Sequence, residues 1–299
     1  MSEPSFPDIL VWAIPFFGIC VLAEWLILRR RGVFDWKDGF ASMAMGLGMT
    51  VSDIIAKLTG LAILMWIWQF RFFDLGVSVP IIILAFLIGD FKYYWSHRLA
   101  HRVRWWWMAH TVHHSSEHYN LTTALRQPWT NYITGAVIIS VPMTLLGFHP
   151  LLIAFAGALN LLYQFWIHTE VIDKMPRWFE AVFNTPSHHR VHHGRDPEYL
   201  DTNYAGTLII WDKMFGTFVA EQHRPDYGIV KKMESYNPIT IAFAELIQIF
   251  KDAFAPGLKF SERFKYVFAP PGYSHDGSRK TSKQIKAEAR DKAALSLAE

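Results

Sequence analysis

Residues 79–101 read VPIIILAFLIGDFKYYWSHRLAH. The run from Val79 to Ile88 is nearly unbroken in apolar side chains, then passes through Asp90 into His97 and His101. A stretch of this kind has the character of a membrane helix. The two histidines are spaced i,i+4, so a helix continuing out of the span carries both on one face. The pattern recurs downstream as His110, His113 and His114, then His168 after a further apolar run, then His188, His189, His192 and His193. Ten of the chain's fourteen histidines lie in these positions. Packing does not readily explain so many imidazoles beside membrane segments, whereas a metal centre at a bilayer surface does.

Composition narrows the class. Hydrophobic residues make up 52% of the 299 residues, charged residues 18% and aromatic residues 16%. That balance suits a polytopic membrane protein with a sizeable polar part better than a soluble enzyme. The formal net charge is +3 without a Lys/Arg block, which argues against a nucleic-acid partner. Cys20 is the only cysteine. An intrachain disulfide, a four-cysteine iron–sulfur cluster and a cysteine-rich zinc site are therefore excluded, and any metal must be held by nitrogen and oxygen.

Hydropathy orders the chain. Ile9–Leu28 is about the 20 residues a bilayer core requires, and Arg29, Arg30 and Arg31 stop it. These arginines place that end in the cytoplasm. Met1–Asp8 carries Glu3 and Asp8 and no basic residue, so the first run is expected to be a retained span, not a cleaved signal. A second apolar stretch, Gly39–Gln69, carries Asp53 and Lys57 as a self-neutralising i,i+4 pair. Pro80–Tyr94 returns to the cytoplasm. Tyr132–Phe148 and Leu151–Ile167 are expected as two helices of a hairpin turned at Gly147-Phe148-His149-Pro150, which brings His168 back to the same side. Pro238–Ala255 is expected as an amphipathic helix, and the Lys/Glu/Ala-rich tail as an exposed or disordered end without chemistry. The fold class is all-α: a polytopic bundle of about four to five apolar helices or hairpins with a cytoplasmic histidine-rich helical cap. Its regions are an N-terminal transmembrane part at 1–80, a metal-binding domain at 81–270 and a polar tail at 271–299.

Neutral imidazole suits iron, zinc, copper or nickel. Nine or ten imidazoles exceed the coordination of one ion and match two neighbouring ions. A zinc hydrolase of His-Glu-x-x-His type would carry a glutamate between its ligands. Here Arg98, Leu99 and Ala100 separate His97 from His101, with no base among them. Iron-based O2 chemistry fits this donor set better than hydrolysis, with copper as the alternative. His118, His149, His223 and His275 stand apart and read as ordinary histidines. A membrane metal carrier or haem cytochrome is the non-enzyme reading. Haem needs one or two histidines facing each other within a bundle, unlike clusters just outside the spans.

Two long stretches carry a family resemblance. The first is Asp90–His101 with the continuation His113–Gln127, and the second comprises Phe165–Glu170, Asn184–Arg195 and Asn203–Phe218. In order and hydropathy they resemble the fatty acid hydroxylase and sterol desaturase superfamily of membrane di-iron proteins, and most of all its alkylglycerol monooxygenase-like branch. The resemblance covers about Asp90 to Gly272. It implies an O2-dependent monooxygenase that hydroxylates a lipid C–H bond, on an ether lipid or another acyl or sterol substrate. Desaturation is the other outcome that superfamily supports. It implies two iron ions held by His97, His101, His110, His113, His114, His168, His189, His192 and His193, with His188 in the same motif as an additional ligand or a donor behind one. Glu117, three residues past the second cluster, is a candidate carboxylate at or behind the metals. Asp90, seven residues before His97 and on its face, is a candidate to orient it. No Rossmann glycines, four-cysteine cluster or haem-binding domain is apparent, so an external electron donor is expected, and the branch implies tetrahydrobiopterin. Asn203, Trp211 and Asp212 belong to the resembling stretch without a role that sequence assigns.

Overall fold

Asp8 opens the first helix by accepting the Val11 amide at 3.2 Å, and α1 (Ile9–Arg30) closes on Arg29 and Arg30, whose charge suits the carbonyl end. The computed structural model describes residues 4–296; Met1–Glu3 and the end of the tail, 297–299, lie outside the described residues. Asp35 caps α2 (Trp36–Trp68) through the Asp38 amide at 3.0 Å. At 33 residues α2 is about 50 Å long, well beyond the roughly 30 Å of a bilayer core. Its first turns carry the surplus: Asp38, Ala41, Ser42 and Met45 are buried against the cap. Asp53 and Lys57 pair at 3.1 Å further along it. α3 (Val79–Arg102) starts with Pro80 in its first turn and runs through His97 and His101. Val103 then adopts an extended conformation, and the chain turns into α4 (Arg104–His114).

The expected first leg of the hairpin is shorter than expected and interrupted: its apolar helical stretch covers only Ala136–Leu145. After the short α5 (Leu121–Ala124), residues 131–140 form two 3-10 pieces around Gly135 at φ 73°, followed by the five-residue α6 (Val141–Leu145). The left-handed glycine breaks the ladder, and Pro142, which lacks an amide hydrogen, is tolerated only in the first turn of α6. The segment nonetheless travels from one end of the bundle to the other. Near its start the Trp129 indole donates to the Met45 carbonyl, and at its end the Phe72 amide donates to the Leu145 carbonyl at 2.7 Å. Gly147 is left-handed at φ 100° and passes so close to the Phe73 carbonyl that a Cβ has no room. α7 (Pro150–Ile167) then returns alongside α3, and Ala85, Phe148, Leu152 and Ala156 form the core between them.

Helices α1, α2, α3 and α7 are long and apolar enough to cross a membrane. In α1 and α2 only 6% of the most apolar window is buried, so their faces require an apolar solvent. The remaining chain folds as a cap of short elements: α8 (Arg177–Val182), α9 (Pro186–His192) and α10 (Ile210–Met214), then α11 (Pro238–Ala253), α12 (Phe260–Phe268) and α13 (Ser282–Ser296). The architecture is all-helical, and two isolated β-bridges are the only β pairing among the described residues. α11 is amphipathic, with Ile241, Ala242, Ile249 and Ala253 buried. The tail residues 282–296 form a helix with no buried residue.

Candidate metal centre

Three helices and one helix end converge on the histidines. The i,i+4 spacing works twice in a reciprocal way. On α4, His110 and His114 face one group and His113 turns to a second; on α9 and its C-cap, His189 and His193 face the second group and His192 turns to the first. His97 and His101 of α3 complete the first group, and His168, just past α7, completes the second. Group one is therefore His97, His101, His110, His114 and His192; group two is His113, His168, His189 and His193. Within each group the ligand nitrogens lie within 4.8 Å of one another. His110 is half-buried and the other eight are buried. The groups adjoin, with the His114 and His193 rings stacked at 4.3 Å.

The outer nitrogens show which atoms are free for a metal. His168 donates through Nδ1 to the Gln164 carbonyl at 2.7 Å, and His113 to the Arg126 carbonyl at 3.3 Å. An imidazole with its proton on Nδ1 keeps a bare lone pair on Nε2. Yet the Nε2 atoms of His113 and His168 face each other at 3.1 Å. Lone pairs at that range repel unless a cation sits between them. Nitrogens bound to one ion at about 2.0–2.1 Å lie roughly 3 Å apart, so the spacing fits a shared metal. In group one, His97 donates through Nδ1 to the Tyr204 carbonyl at 2.8 Å and His192 to the Thr202 carbonyl at 2.9 Å. His97 Nε2 stands 2.7 Å from His110 Nε2, and the Nε2 atoms of His101, His192 and His193 are buried without a protein partner. The donor set is all-nitrogen and inward-facing, and it suits a transition metal.

A single loop supports group one. The Tyr204 and Thr202 carbonyls hold His97 and His192, and the Asp201 carboxylate lies 3.4 Å from His101 Nδ1. Asp201 and Asn203 both adopt left-handed backbone, at φ 52° and 53°. That conformation is uncommon outside glycine and least costly for Asp and Asn. The Asn203 side chain pins the loop by donating to the His188 and Val219 carbonyls and accepting the Val219 amide. Asp212 accepts the amides of Tyr204 and Ala205 at 2.8 and 2.7 Å. Burial pushes the Asp212 carboxyl up to about 6, against the opposing pull of Thr217 and those amides. Burial also raises the Asp201 carboxyl, but contact with His101 and the Arg102 guanidinium brings it below its ordinary value. The supporting carbonyls leave no mark in the sequence, because any residue could supply them. Asn203 and Asp212 stood in the resembling stretch, and their roles are in the backbone they hold.

Three residues expected at the site lie elsewhere. Asp90 is fully buried but does not reach His97. It accepts the Thr207 and Leu208 amides at 2.8 and 3.0 Å, the Trp211 indole at 2.8 Å, and the side chain of Asn160. It orders the turn after Tyr204, and any effect on His97 runs through that turn. Glu117 is exposed and pairs with Lys232 at 2.9 Å and Arg195 at 3.6 Å. α4 ends at His114, so helical spacing no longer carries Glu117 to the histidine face. His188 joins neither group and its ring packs edge-on against Phe218.

Burial first, and neighbouring imidazoles second, hold His110, His114, His189, His192 and His193 well below the usual histidine range. Burial lowers His113 from 6.5 to about 4. The unfolded chain therefore binds more protons than the folded one between these values. Stability is full above about pH 6.5 and is lost as pH falls below it, and bound metal is lost in the same direction. Melting temperature and metal content measured between pH 7.5 and 5 should decline together, and a flat profile would contradict the neutral-imidazole assignment.

Residues 82–217 match the fatty acid hydroxylase family, and all nine histidines of the two groups lie within that stretch. The chain is similar to alkylglycerol monooxygenase from Homo sapiens, at 41% identity over 284 residues, which cover 91% of this chain and 63% of that protein. The Xenopus tropicalis alkylglycerol monooxygenase is 40% identical, covering 89% of this chain and 60% of that protein. Ornithine lipid hydroxylase from Rhizobium tropici is 30% identical over 51% of this chain and 46% of its own length. The chain thus spans less than two thirds of the alkylglycerol monooxygenases it matches. No solved structure matches it.

Proposed function

We propose that this protein is an integral-membrane, iron-dependent monooxygenase that uses O2 to hydroxylate a C–H bond of a lipid, in the manner of alkylglycerol monooxygenase. The observation that carries this reading is the pair of buried histidine groups with inward lone pairs, set at the ends of α3 and α7. Groups one and two would each hold one iron, and the iron pair would supply the activation of O2. The balance is RH, O2, two electrons and two protons giving ROH and water. An external reductant must provide the electrons, with tetrahydrobiopterin the donor that the similarity to alkylglycerol monooxygenases suggests. The chain's own contribution is orientation. Carbonyls of Tyr204, Thr202, Gln164 and Arg126 fix the rings before any ion arrives, which lowers the reorganisation cost of binding and reaction. Tyr119 and Tyr204 pack against the histidines, with Tyr94 behind Tyr204, and shield the rings from water.

A cavity of about 710 Å3 reaches His101, His114 and His192 from the cap side and is walled by Trp107, Leu200, Ile229 and Met233. It is large enough for a ligand of substrate size. Orientation in the membrane follows from α1. Glu24 near its C-terminal end accepts the Leu121 amide at 2.6 Å and the Thr169 hydroxyl, so Arg29 and Arg30 lie on the side of the histidines. The positive-inside rule then supports a site on the cytoplasmic face.

The test is metal analysis followed by labelling. Purified protein is expected to hold two irons per chain without a haem absorbance band. Lipid extracts from cells with and without the protein, grown under 18O2, should differ by a lipid species that gains one labelled oxygen or by its products. Stoichiometric haem, or no label in any lipid with iron-loaded protein, would overturn the reading.

A further inference from the structure

The two histidine groups are not supported alike. Outer nitrogens in both groups face neutral backbone carbonyls, those of Tyr204 and Thr202 in group one and of Gln164 and Arg126 in group two. Among the described residues, His101 is the one of the nine that faces a carboxylate, that of Asp201 at 3.4 Å. A carboxylate behind a ligating imidazole fixes its tautomer and makes its inner nitrogen more basic. His101 Nε2 is buried without a protein partner among the described residues, so the ring that Asp201 orients presents that nitrogen to the metal position. Solvent access divides the groups in the same way. His101, His114 and His192 line the 710 Å3 cavity, and no member of group two does. Asp201 lines it too, beside Ser282 and Ile285 of α13, so the tail forms part of the cavity wall.

We propose that Asp201 is a positioning residue that makes the two metal positions unequal, strengthening the cavity-facing position of group one through His101 while leaving group two unaffected. This rests on the reading of the groups as a metal pair. Asp201 stands in a left-handed conformation at φ 52°, which an aspartate accepts at some cost, and its carboxylate side chain is only 11% exposed. Asn tolerates the same backbone and keeps a neutral acceptor, whereas Gly relieves the backbone and removes the acceptor. The two substitutions therefore separate the carboxylate's effect from that of the turn.

The experiment measures ferrous iron retained per chain after anaerobic dialysis against graded concentrations of a ferrous chelator, for wild type, Asp201→Asn and Asp201→Gly, with melting temperature recorded alongside. Wild type is expected to lose two equivalents at separate chelator concentrations. In both variants one equivalent should weaken by roughly 10–100-fold and the other stay unchanged. Gly should weaken it at least as much as Asn, although Gly suits the backbone better. Variants that retain iron as wild type does, variants that lose both equivalents in parallel, or a loss confined to whichever variant melts lower would overturn the proposal. Wild-type protein that binds no iron would sink the functional reading itself, and this inference with it.

Discussion

His192→Ala is expected to abolish turnover and to empty one metal position while sparing the other. His192 donates through Nδ1 to the Thr202 carbonyl, and its buried Nε2 has no protein partner. Its ring lies 4.4 Å from His97, 4.8 Å from His101 and 4.6 Å from His114, at the centre of group one. Removing it leaves four imidazoles facing a void on one side. Loss of a residue that merely supports a ligand commonly costs about 10–100-fold, and loss of the ligand itself should exceed that. His113→Ala should do the same to group two, where only three imidazoles would remain from four. His275→Ala is the control. His275 bonds the Tyr266 hydroxyl at 2.7 Å and belongs to neither group. The readouts are iron per chain and product formed per minute. Equal iron and activity in all three variants would count decisively against the two groups as metal positions.

Arg190→Ala is expected to destabilise the protein by about 3–5 kcal/mol, the range for breaking a buried, hydrogen-bonded charge pair. Arg190 lies between His189 and the paired histidines at 192–193, and its side chain is fully buried. Its Nε and one terminal nitrogen grip both Glu221 oxygens at 2.7 and 2.6 Å. The same guanidinium donates to the carbonyls of Thr169, Ile172 and Asp173. Truncation would leave the buried Glu221 carboxylate with only Arg224, 3.6 Å away, and would remove a donor from three carbonyls. Arg190→Lys should recover little, because an ammonium cannot reproduce the planar two-point grip. Thr169 follows His168, so loosening this loop should also lower activity before the protein unfolds. Denaturant or thermal unfolding in detergent measures the effect, and a loss below about 1 kcal/mol would show that the network matters little.

The limits of sequence reading follow from what each rule measures. Hydropathy located α1, α2, α3 and α7 because lipid-facing helices carry their apolar residues openly. At 132–148 it found an apolar segment that is helical only over Ala136–Leu145, because Gly135 and Pro142 control the backbone. Glu117 was misplaced by extending helical spacing past His114, the last residue of α4. Asp90 does share a helix face with His97, but seven residues are about 10 Å of axis, too far for an aspartate side chain to span. His188 neighbours His189, yet it points about 100° away around the helix and meets Phe218 instead.

The primary structure by itself determined where the four long apolar helices lie, that histidines recur at helical spacing in three segments, and that nitrogen and oxygen must hold any metal. Those are properties of local spacing and residue type, which the chain carries wherever it folds. The tertiary structure alone decided how nine imidazoles divide into five and four, which of them meet solvent in the cavity, and what holds each ring. The supports are mostly backbone carbonyls, and one is a carboxylate in a left-handed turn, a hundred residues from the histidine it faces. A carbonyl is the same in every residue, so only the path of the folded chain determines which histidine it serves.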